Sequence, residues 1–177
     1  MVKPLDGPIR DVYWVTPGKF MAGGYPGMLY VEDAGEKLRW LIGEGITAFV
    51  DLTEESELKP YSGILADEAS KLGKSVKYLR WPIPDMTPPD AEAMVQGLNA
   101  IDAALKADEV LYVHCMAGMG RTGAVVGCWL VRGGMTGPEA LDEIARLRKG
   151  LMGGPGSSPY TAEQREMVRD WPDRSAA

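Results

Sequence analysis

Apolar and polar positions along this chain follow two different periods. Short apolar runs of β character occur at residues 12–16 (VYWVT), 20–22 (FMA), 46–52 (ITAFVDL), 76–83 (VKYLRWPI) and 110–115 (VLYVHC). The runs at 46–52 and 110–115 are continuous rather than alternating, which is how a strand buried on both faces reads. Other stretches carry apolar residues three and four apart. Ala34, Leu38, Leu41 and Ile42 predict a helix over 33–43, and SGILADEASKL predicts a second over 62–72, stopped by Gly73. Asp90 suits the cap of a helix over 90–106. Further helices are expected over 121–132, 137–149 and 160–170, the last two separated by the loop GLMGGPGSSP. Strands alternating with helices predict an α/β fold with a central, mainly parallel sheet flanked by helices on both faces. One domain should span residues 1–177, with 1–11 and 172–177 as loosely ordered tails. In such sheets ligands sit at the carboxyl ends of the strands. The unusual segments PIPDMTPP (82–89) and HCMAGMGRTG (114–123) should therefore emerge at the same edge.

Composition narrows the function. The 177 residues are 45% hydrophobic and 25% charged, as in an ordinary globular domain. No apolar run reaches the roughly 18–20 residues of a membrane span, and Met1 to Arg10 lacks the apolar core of a secretory signal. A cytoplasmic location is expected. The net charge of −6 argues against nucleic acid and against anionic membrane surfaces, both of which recruit basic patches. Neither partner is expected, and a monomer is the default. Two cysteines and one histidine cannot build a disulfide scaffold, nor a four-ligand zinc site without carboxylates. No metal or cofactor is expected, so Cys115 is either buried filler or reactive.

The neighbours of Cys115 decide for reactivity. In HCMAGMGRTG five residues separate Cys115 from Arg121, within a turn from strand to helix. Met116, Ala117, Gly118, Met119 and Gly120 can curl so that their N–H groups form an anion-binding nest. The following helix adds its positive dipole end. Arg121 can grip two phosphate oxygens through its planar fork, with Cys115 at the bottom of the bowl. A helix N-terminus and cationic neighbours favour the thiolate, the nucleophilic form. The Thr122 hydroxyl can bond to the sulfur, and the ring of His114 can hold the loop backbone and tune the thiol. The same stretch also satisfies the dinucleotide pattern G-x-G-x-x-G at residues 118–123. That reading leaves Cys115 and Arg121 idle and places the fingerprint late in the chain.

The string His114-Cys115, five residues, Arg121-Thr122-Gly123 resembles the signature of the protein-tyrosine and dual-specificity phosphatase superfamily. FMAGGYPG (20–27), VDLTEESEL (50–58) and PIPDMTPP are also similar to segments of small dual-specificity domains. The resemblance implies metal-free hydrolysis of phosphate monoesters through a phosphocysteine, on a phosphorylated protein substrate. Such chemistry needs a general acid for the leaving group. Asp85, 30 residues before Cys115 in a proline-stiffened loop, matches the family's acid. Asp51 and Asp90 are weaker candidates, Asp90 being more simply a cap. SPYTAEQREMV is similar to a glutamine segment in parts of the superfamily. Gln164 is accordingly either a water-positioning residue or an exposed helix glutamine. Cys128, Trp81 and Tyr78 read as packing residues, and Arg80 as a loop brace or an exposed cation. A phosphoinositide or small-molecule phosphatase, and a non-catalytic phosphoprotein-binding module, share the same residues. The two loop methionines make the pocket less basic, which argues against inositides.

Overall fold

The computed structural model describes residues 5, 7–9, 11–27 and 31–172. Among these residues five strands form one sheet: β1 (Val12–Thr16), β2 (Phe20–Gly23), β3 (Ala48–Asp51), β4 (Lys77–Arg80) and β5 (Leu111–His114). Six helices among the described residues accompany them: α1 (Val31–Gly43), α2 (Ser62–Lys71), α3 (Ala91–Lys106), α4 (Gly120–Arg132), α5 (Gly137–Leu147) and α6 (Ala162–Arg169). The strand order is β1-β2-β5-β3-β4, parallel except for β1, which pairs antiparallel with β2 at one edge.

Strand alternation explains why the central runs are continuously apolar. Phe20 and Ala22, Ala48 and Val50, and Leu111 and Val113 face a core filled by α3, α4, α5 and α6. Met21, Phe49 and Tyr112, one residue out of phase, face a second core under α1 and α2. Each strand thus needs apolar residues on both faces. The helices have readable starts. The Asp90 carboxylate accepts from Ala93 N at 2.8 Å. Thr136 with Glu139, and Thr161 with Gln164, form capping boxes at the starts of α5 and α6.

Two expectations need correction. The run at 76–83 is a strand only over 77–80, because Pro82 has no N–H for the ladder; Trp81 N and Ile83 N still bond to Asp51 O and Leu52 O. The N-terminal segment is not simply a tail, since Ile9 is buried and Leu5 packs in the α1–α2 core. Residues 1–4, 6, 10 and 173–177 of the expected tails lie outside the described residues.

For the site, the register matters most. His114, the last residue of β5, lies beside Gly23 of β2 and Asp51 of β3. Three central strands therefore end together, and the chain leaves β5 directly into Cys115.

Candidate active site

Cys115 is 3% exposed and opens the loop that carries the chain from β5 to α4. Three carbonyls of that loop are pinned from outside. Tyr25 N donates to Met116 O at 2.9 Å, Arg148 Nη1 donates to Gly118 O at 2.9 Å, and Ser158 Oγ donates to Met119 O at 2.7 Å. In a trans peptide the C=O and the next N–H point in opposite directions. The amides of Ala117, Met119 and Gly120 are therefore turned away from these anchors and toward the bowl. All three residues line the cavity of about 270 Å³ above Cys115. Two glycines leave room for close neighbours here, and the first is obligatory. Gly118 has φ +70°, and a Cβ on it would lie 2.4 Å from the Gly23 carbonyl carbon; a Cβ on Gly123 would lie 2.2 Å from Ser158 Oγ.

Arg121, in the first turn of α4, is 1% exposed. One edge of its guanidinium is held by Glu57: Nη1 donates to Oε2 at 2.7 Å and Nη2 to Oε1 at 2.6 Å. Nη1 also donates to Ile83 O at 3.0 Å. These hydrogen bonds from Arg121 hold the Glu57 carboxyl below its usual range, against the opposing effect of burial. Nε is buried with no hydrogen-bond partner among the described residues, and Nη2 lies 3.2 Å from Asp85 Oδ1. The edge left for an anion is thus the one that faces Asp85.

Asp85 is half exposed at the mouth of the cavity. Its loop is anchored at several points. The Trp81 ring lies over Gly97 of α3, where any Cβ would collide with it. Met86 N donates to Asp85 Oδ1 at 2.9 Å, with Met86 itself at φ +65°. Gln164 Nε2 donates to Thr87 O at 3.3 Å, while Gln164 Oε1 accepts from Thr161 N at 3.0 Å. Gln164 is buried and lines the cavity, so the expectation of an exposed helix residue is overturned. The capping geometry draws its side chain inward.

Beneath the bowl lies an aromatic cage. His114 is fully buried; its Nε2 is 2.7 Å from Tyr61 Oη and its Nδ1 is 3.3 Å from Cys115 O. Its ring stacks on Tyr112 and meets the edges of Tyr25 and Tyr61. Burial lowers its pKa to about 4, although the Asp51 charge pulls the other way, so the ring is neutral near pH 7. Asp51 is also fully buried. Burial alone would raise its carboxyl, but hydrogen bonds from Thr53 and Tyr78 contribute to holding it below the usual range. Asp51 is not among the described residues that line the cavity, and its bonds to Thr53 N and Oγ1 make it a strut for the turn that follows β3. Tyr78 is more than packing, and Arg80 braces the same carboxylate at 3.4 Å. The Thr122 hydroxyl has no hydrogen-bond partner among the described residues, so the expected bond to the sulfur is not formed. Cys128 sits in the core, where burial pushes its thiol up. Among the described residues no cluster of His, Cys, Asp and Glu could hold a metal.

The structure thus brings Cys115, Arg121, Asp85 and Gln164 to one cavity, with His114 beneath and Thr122 behind. Sequence reasoning missed Glu57, Tyr25, Arg148 and Ser158. Glu57 lay within a segment already noticed, but only the fold reveals its partner.

A family model described as "Polymorphic toxin system, DSP-PTPase phosphatase" matches residues 24–135, more than half of the chain. The chain is 36% identical over 96 residues to phosphatidylinositol 3,4,5-trisphosphate 3-phosphatase and protein-tyrosine-phosphatase PTEN1 of Arabidopsis thaliana, covering 53% of this chain and 22% of that one. It is 28% identical over 131 residues to mouse protein tyrosine phosphatase type IVA 2, covering 68% and 78%. The crystal structure of Tk-PTP in the active form shares 26% identity and a TM-score of 0.73, covering 93% of this chain and 97% of that one. The chain spans about a fifth of the plant relative. No helix among the described residues is long and apolar enough to cross a membrane. With its family model matched over more than half of its length, the chain belongs to the DSP-PTPase phosphatase family, of the protein-tyrosine and dual-specificity type.

Proposed function

We propose that this phosphatase acts on phosphorylated proteins, removing phosphate from tyrosine and also from serine and threonine, through a phosphocysteine on Cys115. The substrate's phosphoryl group sits in the bowl, bound by the loop amides and by the free edge of Arg121. The Cys115 thiolate attacks phosphorus, the bond from phosphorus to the ester oxygen breaks, and Asp85 gives that oxygen its proton. Water then attacks phosphorus, Asp85 takes the water's proton, and the P–S bond breaks to return the thiolate and release phosphate. Gln164, lining the same cavity, orients that water. The observation that carries this reading is the meeting of the Asp85 loop with Arg121 over Cys115. A phosphate oxygen that replaces Asp85 on Nη2 frees the carboxyl for the leaving group. The mouse relative's description as a protein tyrosine phosphatase supports a protein substrate.

The test is phosphate release from a phosphotyrosine peptide with and without EDTA. Cys115→Ser should be inactive, EDTA should have no effect, and Asp85→Ala should lower kcat by about 10²–10⁴ with little change in KM. Full activity of Cys115→Ser would remove the mechanism.

A second reading has its own support. The plant relative is described as a phosphatidylinositol 3,4,5-trisphosphate 3-phosphatase as well as a protein-tyrosine phosphatase. A vesicle-borne phosphoinositide therefore belongs in the same assay.

A further inference from the structure

We infer that the outer edge of β4, with the cavity beside it, is a docking site for an acidic peptide segment in extended conformation. The sheet ends at β4. Lys77 N donates to Thr47 O at 2.8 Å and Trp81 N to Asp51 O at 2.9 Å, both toward β3. Successive peptide groups of a strand point to opposite edges, so the N–H and C=O groups of Tyr78 and Arg80 point away from β3. Among the described residues no strand pairs with them. Beside this edge lies a cavity of about 420 Å³, larger than the one above Cys115 and sharing no described lining residue with it. Leu79 and Trp81 line it from one side, and Gly97, Ala100 and Ala104 of α3 from the other. Leu79 is 51% exposed, and an exposed apolar residue on an unpaired edge invites a further strand. Alternate side chains of an added strand would face α3 as Leu79 does, so an apolar one would enter the cavity.

Charge identifies the occupant. From Ala69 to Pro84 the sequence holds Lys71, Lys74, Lys77 and Arg80 and no Asp or Glu, in a chain whose net charge is −6. Lys71, Lys77 and Arg80 each reach a carboxylate within the fold, those of Glu68, Glu109 and Asp51. The side chains of Lys71 and Lys77 are nevertheless 65% and 66% exposed, and Lys74 is exposed as well. Carboxylates on an added strand would meet these cations. A second copy of this chain fits poorly, because antiparallel pairing of two β4 edges lays two basic segments side by side. The bound segment would touch Trp81 and Pro82, where the acid loop begins. It would be held close to Asp85 along the chain, on a surface that the proposed reaction does not use. The inference therefore stands or falls apart from that reaction.

The experiment measures, by fluorescence anisotropy, binding of the full chain to a fluorescein-labelled, unphosphorylated peptide of alternating glutamate and leucine. Alternation puts the leucines on one face of the added strand. Saturable binding is expected, with a Kd below about 100 µM, weakening as salt rises from about 0.05 to 0.5 M. The same peptide with lysine in place of glutamate should bind at least about tenfold more weakly. Leu79→Asp puts a charge at the cavity and Ala100→Trp fills it. Each should weaken binding of the glutamate peptide by about tenfold or more, while hydrolysis of an aryl phosphate, which reports an intact fold, is unchanged. Absence of binding, equal binding of the lysine peptide, or displacement by inorganic phosphate, which enters the bowl, would overturn the inference. So would undiminished binding to both variants. Dimerisation of wild type in sedimentation, abolished by Leu79→Asp, would give the edge to a second copy and overturn it as well.

Discussion

Arg121 carries a buried charge whose direction is set by a residue 64 positions away. Glu57 takes both terminal nitrogens of its guanidinium, and the Ile83 carbonyl takes a further bond from Nη1. Two effects compete when Glu57 is removed. The phosphate loses a rival for the cation, and the guanidinium loses the fork that aims it. Geometry should win, because Nη1 faces away from the cavity toward Ile83 O, and Nε reaches the phosphate only if the plane is held. Glu57→Ala is therefore expected to lower kcat/KM by about 10²-fold, the scale on which a misplacement of roughly 1 Å acts. Glu57→Gln keeps one acceptor and should lose less. Steady-state kinetics of the two variants decide it, and an unchanged kcat/KM in Glu57→Ala would show that the pairing does not aim Arg121. Cys115 and Arg121 were legible in the sequence because five residues of local chain hold their chemistry. Glu57 was not, because an acidic residue in a polar loop looks the same whether solvated or paired.

At the scale of elements, the phosphate loop is shaped by what surrounds it. Its carbonyls are anchored by Tyr25 just beyond β2, by Arg148 just beyond α5, and by Ser158 in the loop before α6. Arg148 is fully buried, bonds also to Met152 O at 3.2 Å, and lies over the Tyr13 ring. Replacing it with methionine keeps much of its bulk but leaves the buried Gly118 carbonyl without a donor, a loss of about 1–3 kcal/mol. Arg148→Met should thus lower stability in urea by that amount. It should also weaken inhibition by inorganic phosphate, since the Met119 amide is no longer held inward. A stability loss with unaltered phosphate inhibition would limit Arg148 to a structural role. The helices and central strands were readable from period and caps because those signals are local. The strand at 77–80 was overextended because Trp81 and Ile83 continue its bonding beyond its regular geometry. The anchors were invisible because Ser158 sits in a stretch whose composition says only loop, and Arg148, at the end of an expected helix, looks like any last-turn cation.

For the whole molecule, the two cores meet at the end of β5, where His114 is enclosed by Tyr25, Tyr61 and Tyr112. That enclosure makes folding sensitive to pH. Burial holds the ring's pKa at about 4 in the folded chain, against about 6.5 when unfolded. Below about 6.5 the unfolded chain binds a proton that the folded chain refuses until about pH 4. The stability contributed by the neutral ring is therefore complete above about 6.5 and is lost as pH falls toward about 4. The shift corresponds to a loss on the order of 3 kcal/mol across that window. Asp51 and Glu57 also have lowered carboxyl pKa values, but both shifts start from the ordinary carboxylate range. Their contribution disappears only below about pH 4.5, at the acid end of the histidine window. Urea denaturation at intervals from pH 7 to 4.5 should separate the two. Wild type should lose stability steadily below about pH 6.5, whereas His114→Gln, though less stable at pH 7, should show a nearly flat profile down to pH 5. A wild-type slope that survives in His114→Gln would place the sensitive group elsewhere.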